Sequence, residues 1–124
     1  MRIVVTGSAG RVGRAILLRL AGEHEVVGID RFPASTAVQH VGDIVDRRLL
    51  ASAFAGADAV IHVAALHAPH VGLVPDVEFE RVNIAGTEAV ISAARSAGIR
   101  RIVFTSTTAL YGRASSSSGR ATWI

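Results

Sequence analysis

Three glycines at three-residue steps, Gly7, Gly10 and Gly13, lie between the apolar run Ile3-Val4-Val5 and a segment of helical period that opens at Arg11. A glycine-rich turn in that position exposes backbone N–H groups at a helix N-terminus, where the pyrophosphate of a dinucleotide can rest. Gly7 would permit the tight turn, Gly10 would admit phosphates with no Cβ in their way, and Gly13 would let helix and strand pack closely. Ser8, Ala9, Arg11 and Val12 complete the turn and are counted with the glycines as cofactor-binding. Tight turns alone explain three glycines about as well, so their context carries the argument. Asp30 ends the second apolar run about 20 residues downstream, where a carboxylate can accept hydrogen bonds from the adenosine ribose hydroxyls. Its charge repels a 2′-phosphate and favours NAD over NADP, although the adjacent Arg31 would compensate if it turned inward.

Other chemistries find less support. His62, His67 and His70 are joined by no cysteine or carboxylate at ligand spacing, and Pro69 interrupts them, so no metal site is expected. Cysteine is absent, which removes disulfides, thiolate metal sites and thiol nucleophiles and fits a reducing compartment. All 13 basic residues are arginine, the formal charge is +3, and the arginines are dispersed without interleaved aromatic residues. That is a weak footprint for nucleic acid, and no partner of that kind is expected. No apolar stretch has the length of a membrane span or of a signal-peptide core, so no membrane contact is expected and the cytoplasm is the expected compartment.

The elements that must position these residues follow from periodicity. Short apolar runs at 3–6, 25–29, 37–41, 59–63 and 102–105 alternate with helical segments, the pattern of an α/β, doubly wound parallel sheet of the Rossmann type, incomplete at about five strands. The run at 37–41 is weak, whereas 59–63 and 102–105 are apolar enough to be buried on both faces. Helices are expected over 11–21, with Val12, Ile16, Leu17 and Leu20 inward and Gly22 as a left-handed C-cap, and over 47–54. A long helix is expected from an N-cap at Asp76 to Gly98. Its inner stripe would hold Phe79, Val82, Gly86, Val90, Ala93 and Ala97 together with Asn83, whose amide must find partners or sit at the surface at a different helical phase. Residues 1–112 form the expected nucleotide-binding domain. Residues 113–124, with four consecutive serines, form a poorly packed polar linker and the start of a continuation.

Five ordered motifs make the pattern more specific: Thr6-Gly7-Ser8-Ala9-Gly10-Arg11-Val12-Gly13, Gly42-Asp43-Ile44, His62-Val63-Ala64-Ala65, Asn83-Ile84-Ala85-Gly86-Thr87, and Phe104-Thr105-Ser106-Thr107-Thr108-Ala109-Leu110-Tyr111-Gly112. In order and spacing the chain resembles the N-terminal portion of the extended short-chain dehydrogenases, the NAD-dependent epimerases and dehydratases. The resemblance implies that Asp43 approaches the adenine amino group and Ile44 packs on the ring, and that Val63, Ala64 and Ala65 pass beneath the nicotinamide ribose and pyrophosphate. It implies that Asn83 ties the long helix to backbone near the active site and that Thr105 belongs with the cofactor-binding residues. Thr107 takes the place of the catalytic serine or threonine that bonds the reacting oxygen, with Ser106 and Thr108 as neighbours, although these hydroxyls could equally cap the loop after the fifth strand.

The family's proton transfer uses Tyr-x-x-x-Lys, and this chain holds neither a lysine nor a second tyrosine beside Tyr111, which is followed four residues later by Ser115. The resemblance therefore implies the NAD-binding portion of an enzyme acting on a nucleotide sugar or other polyol, with the general base absent and no turnover expected. It leaves room for a homodimer without assigning a pairing helix. The competing readings are a noncatalytic NAD(P)-binding regulatory module and a remnant that binds nothing.

Overall fold

The computed structural model describes residues 1–34, 36–66 and 72–106. Within them the chain runs β1 (Arg2–Thr6), α1 (Arg11–Leu20), β2 (Glu25–Asp30), β3 (His40–Val41), α2 (Arg47–Phe54), β4 (Ala59–His62), α3 (Asp76–Glu80), a π-helical turn (Arg81–Ala85), α4 (Gly86–Ser96) and β5 (Arg101–Phe104). All strand pairs are parallel and the order is β3-β2-β1-β4-β5, an α/β Rossmann-type sheet of five strands. Sequence order reverses on the two sides of β1, so the switch point, where ligands lie in such folds, falls beyond the carboxyl ends of β1 and β4.

The two-residue alternation of β1 divides the core. Ile3 and Val5 face α1 with Ala59, and Ile16 and Leu20 pack against them. Val4 points the other way with Val27, Ile29 and Val60, against Leu50 and Phe54 of α2 and Val90 and Ala94 of α4. The Asp46 carboxylate accepts from the Arg48 and Leu49 amides and starts α2. None of the described helices is long and apolar enough to cross a membrane.

Several expectations are corrected. The third strand is only His40–Val41, because the Gln39 side chain accepts the Gly28 amide at 2.6 Å and takes the place of a ladder bond, while Ala37 turns back to Ala34. In α1 the inward residues are Gly13 and Leu17 with Ile16 and Leu20 partly covered; Val12, in the first turn, is 52% exposed. Gly22 is not left-handed, since the Glu23 and His24 amides close a right-handed turn onto Leu20. Pro75 is the N-cap of α3, and Asp76 lies inside the first turn without a side-chain cap. Through the π turn and α4 the buried residues are Val82, Gly86, Val90 and Ala94, while Ala97, the C-cap, is exposed; Gly98, at φ +74°, ends the helix. Finally, β5 is the edge strand among the described residues and is exposed along its whole length, not buried on both faces like β4. The boundary expected at residue 112 and the linker 113–124 lie outside the described residues.

Candidate functional site

At the end of β1 the chain turns at Gly7, whose φ of +71° and whose approach to the Ala64 backbone, 2.8 Å from where a Cβ would stand, both require glycine. The Gly7 and Ser8 amides donate to the Ile29 carbonyl at 2.8 and 3.2 Å and strap the turn to β2. A Cβ on Gly13 would stand 2.1 Å from the Gly7 carbonyl, so this glycine is what seats α1 on the turn. A Cβ on Gly10 would meet only that carbonyl, at 3.3 Å, and no other atom within 4 Å. Gly10 is the N-cap of α1, with no side-chain cap and no acid in the first turn. The turn therefore presents uncapped amides, with the positive end of the helix dipole, to an open space that suits an anion. Beneath it Ser8 is fully buried and its Oγ has no partner.

Asp30 closes the β2 side of this cradle. One carboxylate oxygen accepts the Ala9 amide at 2.9 Å and the other the Phe32 amide at 3.1 Å. Each oxygen keeps a further lone pair, so the carboxylate is held to the glycine turn and can still accept from a diol. The Arg31 guanidinium lies 6.0 Å above the Phe32 ring, a cation–π stack on an exposed face.

Beyond β3, Asp43 accepts its own turn's Val45 amide at 3.1 Å on Oδ1 and the Arg81 guanidinium at 2.8 Å on Oδ2. Burial pushes the Asp43 carboxyl up, but the Arg81 and Val45 hydrogen bonds and the charges of Arg81 and Arg31 outweigh it and hold it below the usual range. Ile44, expected to pack on adenine, turns its side chain into the core, 5% exposed and so close to Gly86 that a Cβ there would stand 2.4 Å from its Cδ1. That helix glycine is what lets the loop close.

Below the mouth of the cradle runs a buried polar chain. Thr6 Oγ1 accepts the Val63 and Ala64 amides at 3.1 and 3.2 Å, so its single hydrogen goes to His62 Nδ1, 2.7 Å away. His62 Nε2–H is left to donate to Thr87 Oγ1 at 3.0 Å, and Thr87 donates to the Asn83 carbonyl at 2.7 Å. Desolvation lowers the His62 pKa to about 4, so the ring is neutral, with both nitrogens engaged, and it is no candidate base. Asn83 gives its amide to one residue, accepting the Leu66 N–H at 2.7 Å and donating to the Leu66 carbonyl at 2.9 Å. It thus ties the π turn to the segment that follows β4.

The fold brings Gly7 to Gly13, Asp30, Asp43, Val63, Ala64 and Ala65 to the carboxyl ends of β1 to β4. Thr105, whose amide donates to the His62 carbonyl at 3.1 Å, stands just beyond β5. Thr107, Thr108, Tyr111, His67 and His70 lie outside the described residues. Arg81 was missed by sequence reasoning, and Thr6 and Thr87 stood inside motifs without a role of their own. The Glu78–Arg81 spacing on one helix face was a legible signal for Arg81, whereas nothing local connects Arg81 to Asp43.

A five-stranded parallel sheet with a glycine cradle at its switch point defines a Rossmann-type nucleotide-binding fold. Within that class the chain belongs to the NAD dependent epimerase/dehydratase family, whose profile matches residues 3–122. It is 42% identical over 106 residues to the L-arabinose 1-dehydrogenase (NAD(P)(+)) of Haloferax volcanii, covering 86% of this chain and 41% of that one. It is 35% identical over 122 residues to a UDP-glucose 4-epimerase of Streptomyces lividans, covering 90% and 37%. Among solved structures, a short-chain dehydrogenase/reductase superfamily protein of Agrobacterium tumefaciens with bound NAD superposes with a TM-score of 0.80 at 37% identity, covering 91% of this chain and 34% of that one. MoeE5 in complex with UDP-glucose and NAD gives 0.80 at 29% identity, covering 90% and 38%. The chain thus spans 34% to 41% of the length of these relatives.

Proposed function

We propose that this chain is the NAD-binding portion of an extended short-chain dehydrogenase or epimerase. The observation that carries the reading is the uncapped N-terminus of α1 over a turn whose outer rim is Asp30. The Arg11, Val12 and Gly13 amides that open α1, seated on the turn built by Gly7, Ser8, Ala9 and Gly10, would hold the pyrophosphate, and the Asp30 carboxylate the adenosine ribose. Asp43 would accept from the adenine amino group, with Ile44 supporting it from the core side. Val63, Ala64, Ala65 and Thr105 would line the nicotinamide end, with Asn83 holding that loop in register through Leu66. Arg31, stacked on Phe32, leaves the Asp30 charge to disfavour a 2′-phosphate, which supports NAD in preference to NADP. When bound, NAD would supply the hydride acceptor for an alcohol carbon.

MoeE5, which holds NAD with UDP-glucose, supports a nucleotide sugar or another polyol as substrate of the whole enzyme. In this reading the Thr107 hydroxyl bonds the reacting oxygen. Without Tyr-x-x-x-Lys, or any lysine, the chain alone has no group to take the hydroxyl proton, a loss of about a hundred- to ten-thousand-fold in rate. The test is calorimetric titration with NAD: wild type should bind, and Asp30→Ala should lose about tenfold or more in affinity. Equal affinity after that substitution would refute the assignment. Absorbance at 340 nm with nucleotide sugars and polyols should stay flat, and NADH formation by the chain alone would show that a base has been overlooked.

A further inference from the structure

Arg81 is held in a geometry that an ordinary surface cation does not have. Its Nε and Nη2 donate to the two Glu78 carboxylate oxygens at 2.9 and 2.8 Å, a side-on fork within one helical turn that fixes the plane of the guanidinium. Its Nη1 is left pointing across 38 residues of sequence to Asp43 Oδ2 at 2.8 Å. The Arg81 side chain and both carboxylates are each about one third exposed, at 33%, 30% and 33%. The Asp43 side chain is thereby fixed at both ends, one oxygen on its own turn and the other on Arg81. The next residue, Ile44, wedges against Gly86 one turn further along the helix, so the loop after β3 is fastened to the helix by one polar and one apolar contact.

We propose that Arg81 is a positioning residue for recognition of the adenine amino group, acting through Asp43 and not by contact with the nucleotide. The proposal rests on the reading of the chain as an NAD-binding protein. The sheet order supports the placement: a dinucleotide seated on α1 and crossing Asp30 at the end of β2 reaches the β3 edge next, where Asp43 stands. A carboxylate accepts from the exocyclic amino group of adenine and is repelled by the carbonyl oxygen that replaces it in hypoxanthine. Holding Oδ2 on Arg81 and Oδ1 on Val45 leaves only the outward lone pairs for that contact. Freed from Arg81, the carboxylate can swing into solvent and the discrimination goes with it, while the Ile44 wedge keeps the loop folded.

The test is calorimetric titration of the whole chain with NAD and with nicotinamide hypoxanthine dinucleotide, checking each variant for unchanged circular dichroism and melting behaviour. Wild type is expected to prefer NAD. Arg81→Gln is expected to lose about tenfold in NAD affinity and to change by no more than about twofold toward the hypoxanthine analogue, so that the preference disappears. Arg81→Lys should recover part of the preference, since it keeps the charge but not the fork. Arg81→Gln combined with Asp43→Asn should be no weaker for NAD than Asp43→Asn alone. An unchanged preference in Arg81→Gln, whether both affinities are retained or both fall together, overturns the proposal and leaves NAD binding standing. A wild-type chain that binds neither dinucleotide overturns both.

Discussion

Gly28 in β2 and Val103 in β5 belong to one sheet and live in opposite surroundings. A Cβ on Gly28 would stand 1.9 Å from the Ala37 carbonyl and 2.4 Å from Ser8 Oγ, whereas Val103 is 56% exposed beside Phe104 at 58%. On the first flank backbone meets backbone and no side chain can be inserted; on the second, apolar side chains stand in the open. The hydrogen bonds of the glycine cradle go to the crowded flank, from Gly7 and Ser8 to Ile29 and from Ala9 to Asp30, while Gly7 also packs against the Ala64 backbone beyond β4. The hydrogen bonds that order the glycine turn therefore lie within the first thirty or so residues, and none of them reaches β5.

That contrast is most easily broken at Gly28. Gly28→Ala forces apart two backbone segments, and we expect a loss of about 3 kcal/mol or more, a fall in melting temperature of roughly 15 °C. A melting curve within a few degrees of wild type would show that the flank is softer than its distances imply. The next effect lies at its boundary, in His62. Its folded pKa of about 4 is below the ordinary 6.5, so the unfolded chain takes up the proton first as pH falls. Its contribution is complete above about pH 6.5 and drains away toward pH 4, by about 3 kcal/mol in all. Urea denaturation at steps between pH 7 and 4 should show this slope, and His62→Gln should flatten it. A slope that survives the substitution assigns it to other groups.

Asn83→Ala removes both partners of the Leu66 backbone and should cost about 1 to 2 kcal/mol, since that segment is partly exposed and water can replace some of the loss. Chemical denaturation measures it, and a neutral result would mean that the tie carries no load. The smallest effect belongs to the open flank: Val103→Thr should change stability by no more than about 0.5 kcal/mol. A larger loss, read from the same denaturation curves, would place Val103 in contacts that its exposure denies.

What was legible in the sequence was whatever is decided locally. The glycine spacing, the acid at the end of β2 and the apolar runs of β1, β2 and β4 each depend on a few adjacent residues. The third strand shrank because one side-chain amide, that of Gln39, competes with the ladder, which no periodicity records. The inner stripe of the long helix was misassigned at Ala97 because the helix ends at Ser96, which leaves Ala97 as an exposed C-cap while Ala94 turns inward. Burial of β5 was overestimated because an apolar run states what a strand can bury, not what lies across it. The Asp43–Arg81 link joins separate elements and leaves no local trace.

The polar chain from the Val63 and Ala64 amides through Thr6, His62 and Thr87 to the Asn83 carbonyl runs in one direction, every hydroxyl and ring nitrogen spoken for. Such a chain has a single allowed arrangement of its hydrogens. Thr6→Ser or Thr87→Ser leaves the count intact, but a residue that donates where its predecessor accepted leaves two donors or two acceptors face to face somewhere along the line. Changes at these positions should therefore be inherited in compatible sets, and a chimera that takes β1 from one relative and the long helix from another should fail wherever the two parents ran their hydrogens in opposite senses.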